Sequence, residues 1–128
     1  MGTWGPGPFE NDSALDWAGS LTEGNDLEPF SIAIQGLLDG EADVEDEAIA
    51  AAEVLAALAG RPCASLPDTL RSWSQSQPAP PAELLALVAD AVRHMRTHSE
   101  LAGLWAESDD LAAWHAAIDD LVRRLGGG

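Results

Sequence analysis

Asp90, His94 and His98 recur every fourth residue, so a helix would carry a carboxylate and two imidazoles along one side. Zinc accepts that donor set. Yet residues i and i+8 lie about 12 Å apart along a helix axis, too far for one ion, and Arg93 and Arg96 beside them repel a cation. The expected state is a solvated Asp90–His94 pair. A second run, Asp39 to Glu45, alternates acids in the manner of a calcium loop. That loop needs Gly at its sixth position and a bidentate Glu at its twelfth; counted from Asp39 these are Val44 and Ala50. A solvated, acidic helix start is expected instead. Neither pattern supports a metal, and no other cofactor is expected.

Nucleophilic chemistry finds as little support. Cys63 follows Pro62 with no histidine close by in sequence, and a thiol needs a base or a cation to become a nucleophile. No Gly-x-Ser-x-Gly, His-Glu-x-x-His or Gly-rich Lys-Ser motif occurs. The chain has no lysine, which removes Schiff-base chemistry. No catalytic residue can be assigned from these patterns.

The opening GTWGPGPFEND concentrates Gly2, Gly5 and Gly7 among Trp4, Pro6, Pro8 and Phe9. Phosphate-binding loops present several free backbone N–H groups beside a basic residue. Pro6 and Pro8 remove two such donors, and Glu10, Asp12 and Asp16 place negative charge where a phosphate would sit. The expected role is structural: an arm over 1–12 packs on the body of the protein through Trp4 and Phe9. The alternative is a pocket between arm and body, with Thr3, Asn11, Asp12 or Asp16 facing a ligand.

Charge divides the 128 residues unevenly. Residues 1–60 hold thirteen of the 22 acids and no base, while all six arginines fall in the second half. A net charge of −16 with 46% hydrophobic residues describes a folded acidic domain rather than a disordered acidic chain. Such a surface repels nucleic acid and anionic membranes. It suits a basic protein partner, with Glu41, Asp43, Glu45, Asp46 and Glu47 as the candidate contact residues. A lone cysteine fits a reducing cytoplasm. No signal peptide and no apolar run long enough to span a bilayer is expected.

The elements that would position these residues read as helices. Asn11 or Asp12 caps a first helix over 13–22, with Leu15, Ala18 and Leu21 on one face. Asp26 caps a second, with Pro29 in its first turn and Leu27, Phe30, Ile34, Leu37 and Leu38 as its stripe. The third, over 43–59, has a stripe from Val44 through Leu55 to Ala59, with Gly60 placed to end it and Pro62 barring continuation. A short helical turn over 66–74 and the loop SQSQPAPP precede a helix over 82–97. The broad apolar face of that helix, Leu84 to Met95, predicts a central position. Ser99 and Ser108 cap two further helices. The last has a seam of Leu111, Trp114, Ile118, Leu121, Val122 and Leu125, and Arg123 and Arg124 suit its C-terminal dipole. The expected fold is all-α: one domain over 1–128, an irregular bundle of five or six helices with a frayed tail at 126–128.

The opening GTWGPGPFENDSALDW, the alanine-rich AIAAAEVLAALAGRP, and SELAGLWAES followed by Trp114 and LVRRL resemble the bacterial domain-of-unknown-function family numbered 4259. Gly2, Thr3, Trp4, Gly5, Gly7, Phe9, Asn11 and Asp12 match its opening pattern. The resemblance implies a compact stand-alone domain and carries no catalytic residue. Two functional readings follow from the residues. One is a non-catalytic interaction protein, of immunity or regulatory type, whose acidic half engages a basic partner. The other is a small-ligand-binding or enzymatic domain using the pocket under the arm. The oligomeric state is left open.

Overall fold

The computed structural model describes residues 15–19, 28–39, 45–63, 66, 68–96 and 100–126. Residues 15–19 are helical, and six longer helices follow: α1 (Glu28–Asp39), α2 (Glu45–Leu58), α3 (Asp68–Gln75), α4 (Ala82–Met95), α5 (Glu100–Ala106) and α6 (Leu111–Arg124). No strand occurs among the described residues. The fold is all-α, as the periodicities predict.

The centre is α2. Every residue from Ala48 to Ala57 is buried, and α2 packs against α1, α3, α4 and α6. A helix enclosed on all sides needs no stripe, and the six alanines at 48, 50, 51, 52, 56 and 57 let its neighbours approach closely. This corrects the expectation that the helix over 82–97 would be central. In α4, Val88, Ala89, Val92 and Met95 are buried, Leu84 and Leu85 are half-buried, and Leu87 is 56% exposed. The apolar face of α4 is thus wider than the surface that covers it.

Local signals hold elsewhere. Pro29 occupies the second position of α1, where its missing N–H costs nothing. Gly60 adopts φ +88° and closes α2 with paired bonds: its N–H donates to the Ala57 carbonyl and that of Arg61 to the Ala56 carbonyl, each at 2.9 Å. This is the Schellman arrangement, which favours glycine because a Cβ disfavours left-handed backbone. The N-cap of α6 is Asp110 rather than the expected Ser108, whose hydroxyl oxygen instead accepts from the Asp110 N–H at 3.1 Å. The seam of α6 is buried at Trp114, Ile118, Leu121, Val122 and Leu125, with Leu111 half-buried. Near the start, Trp17 and Ala18 are buried whereas Leu15 is 37% exposed, so the inward face is rotated from the one expected through Leu15 and Ala18.

Candidate functional site

A single acid interrupts the buried run of α2. Glu53 is 1% exposed, and it receives both arms of one guanidinium. Arg124, near the end of α6, donates from Nη1 to Glu53 Oε1 at 2.6 Å and from Nη2 to Oε2 at 3.1 Å. Arg124 Nε donates to Asp120 Oδ2 at 2.7 Å, one turn back on α6. The Cys63 thiol also bonds the Glu53 carboxyl. The loop after α2 closes the arrangement: Arg61 Nη1 donates to the Arg124 carbonyl at 3.1 Å, and Arg124 Nη1 reaches the Arg61 carbonyl at 3.4 Å.

Burial pushes the Glu53 carboxyl above its ordinary value, against the opposing hydrogen bonds and charge of Arg124. Burial alone would lower the Arg124 guanidinium. Its hydrogen bonds and charge interactions with Glu53 and then Asp120 outweigh that and raise it, so it stays charged. Chemically the cluster is a clasp. Both carboxylate oxygens are occupied, and at 1% exposure Glu53 has no open approach for a substrate. Sequence reasoning placed Arg124 only at a helix dipole and passed over Glu53. The available signal was one acid inside ten otherwise small or apolar residues, Ala48 to Leu58.

The positions singled out in the sequence are dispersed. Asp90 and His94 are both exposed on α4, and Asp90 Oδ1 accepts from Arg93 Nη1 at 2.7 Å; His98 lies outside the described residues. No group of three or more metal-ligating side chains forms among the described residues. Glu45, Asp46 and Glu47 form the first turn of α2, with Glu47 half-exposed, while Glu41 and Asp43 lie outside the described residues. Of the pocket residues, Asp16 is exposed, and Thr3, Asn11 and Asp12, with the arm and its Trp4 and Phe9, lie outside. Cys63 is buried. His115 is half-buried with its ring centroid 5.6 Å from that of Trp114. A further feature is an open depression on α3, about 460 Å³, bordered by Asp68, Thr69, Ser72 and Trp73.

The arginines are all engaged within the chain. Arg93 pairs with Asp90, Arg96 with Asp119 at 2.8 Å, Arg123 with Asp120 at 3.2 Å, and Arg124 with Glu53 and Asp120. Arg61 and Arg71 donate to the carbonyls of Arg124 and Cys63.

A family model, the domain of unknown function DUF4259, matches residues 2–117 of the chain. The chain belongs to this family. No curated protein and no solved structure matches it. The family model ends before Asp120 and Arg124, so the clasp on Glu53 is completed by residues beyond the matched region. No helix among the described residues of this DUF4259 domain is long and apolar enough to cross a membrane.

Proposed function

We propose that this DUF4259 protein is a non-catalytic interaction domain, of immunity or regulatory type, that engages a basic protein partner in the cytoplasm. The observation that supports the reading is the distribution of cations. All six arginines are occupied by internal acceptors, while the net charge is −16. The field outside the molecule is therefore negative, and it attracts basic surfaces rather than nucleic acid. Within the buried ionic cluster both Glu53 oxygens are taken up by Arg124. Cytoplasmic residence accords with the single thiol, Cys63.

The test is kinetic. A partner captured from the native host and identified by mass spectrometry should associate fast at low salt and more weakly as salt approaches about 0.5 M. Exchanging Glu41, Asp43, Glu45 and Asp46 for Gln or Asn should slow association and leave the melting temperature intact. An unchanged rate with unchanged salt dependence would overturn the reading and move the pocket under the N-terminal arm ahead of it.

A further inference from the structure

On α3 the hydroxyls divide into two kinds. Ser74 and Ser76 turn back on the chain, donating to the Arg71 and Trp73 carbonyls at 2.9 and 2.8 Å. Thr69 and Ser72 make no such bond among the described residues and border the open depression with Asp68 and Trp73. Asp68, in the first turn of α3, is exposed and has no ion-pair partner among the described residues. The nearest cation on its own helix, Arg71, is turned to the Cys63 carbonyl at 3.4 Å. Trp73 is half-buried: one part packs on the core and another borders the depression. An anchored indole thus shares one hollow with a carboxylate that has no ion-pair partner, and two hydroxyls that have no hydrogen-bond partner, among the described residues.

We propose that this hollow receives an arginine side chain of the basic partner, a proposal that rests on the interaction reading above. An indole face attracts a cation through its quadrupole. A guanidinium can stack on that face while its N–H fork meets a carboxylate and neighbouring hydroxyls, which the compact ammonium of lysine cannot do in one plane. The volume accommodates a side chain rather than a folded segment. The chain's net charge of −16 favours the cation's approach. Trp73 supplies the stacking surface, Asp68 the counter-charge, and Thr69 and Ser72 accept the outer N–H groups.

The probe is a blocked Gly-Arg-Arg-Gly peptide titrated into the full ¹⁵N-labelled chain. The Trp73 indole resonance is identified by its disappearance in Trp73→Phe. The indole N–H and the amides of 68–73 should shift saturably with this peptide and stay still with its neutral citrulline counterpart. Asp68→Asn should weaken binding about fivefold to tenfold, and Asp68→Glu should restore most of it, with melting temperatures confirming that each variant folds. Equal shifts with citrulline would overturn the cation claim. Shifts at the acidic start of α2 with Trp73 unmoved would overturn the hollow yet agree with the wider reading. No saturable shift anywhere would overturn the hollow, and the wider reading would then be decided by the quadruple acid variant alone.

Discussion

Glu53 and Arg124 meet across 71 residues of sequence, and their removal tests whether the pair stabilises the fold or merely satisfies it. Arg124→Met leaves a buried carboxylate without its cation and should cost about 3–5 kcal/mol in chemical denaturation. Glu53→Met combined with Arg124→Met should recover most of that loss, because two apolar side chains of similar length carry no desolvation penalty. The pH dependence has a definite sign. Burial raises the carboxyl above its ordinary 4.5, so between that value and the raised native one the folded chain binds more protons than the unfolded chain. The stability Glu53 contributes is then fully present below about 4.5 and is lost as pH climbs through the raised native value. Measured against Glu53→Gln, the wild-type chain should therefore gain relative stability as pH falls from neutrality towards 4.5. The opposite slope would mean that the pull of Arg124 exceeds the cost of burial. The sequence marks Glu53 only as a lone acid within an alanine-rich run, and its pairing was not legible there because Arg124 is 71 positions away.

At the scale of elements, what the sequence displayed was local. Caps, glycine stops and apolar spacing are read over a few residues, and Gly60, Pro29 and the α6 seam all stand where they predict. Which helix lies in the middle is decided by neighbours distant in sequence, and here a broad leucine face misled. The alanine run of α2 looks like a weak stripe only if one face is assumed to be wet; buried all round, it allows four helices to close in. Two substitutions probe this. Ala51→Leu places an isobutyl group where nothing is exposed and should cost about 1–3 kcal/mol by overpacking. Gly60→Ala meets no atom within 4 Å of the new Cβ, so its expected cost of about 1–2 kcal/mol is conformational alone. Gly60→Asn should lose less, since asparagine tolerates left-handed backbone better.

For the whole molecule the excess of acids sets the response to solvent. Self-repulsion at −16 should make the melting temperature rise as salt is raised from about 0.01 to 0.5 M, where the screening length falls from roughly 30 Å to a few ångströms. Association with a basic partner should move the opposite way, so the same salt series separates the two effects. Dialysis against a strong chelator should leave helical circular dichroism and melting temperature unchanged, and unfolding on removal of a stoichiometric metal would overturn that expectation. The charge asymmetry was fully visible in the sequence because it is a property of composition. The hollow at Asp68 and Trp73 was not, because it depends on which way each α3 side chain turns.

The separation of Glu53 from Arg124 also bears on the nascent chain. Ribosomes add about 5–20 residues per second, so the buried acid is made several seconds before its cation exists. Until residue 124 has cleared the exit tunnel, α2 carries an uncompensated carboxylate in the middle of what must become a dry interior. Helix formation can proceed earlier, but closure around α2 is then deferred until Arg124 has emerged. Stalling the ribosome with residue 117 just outside the tunnel should leave a protease-sensitive chain, and extending the exposed length past residue 124 should bring protection in one step.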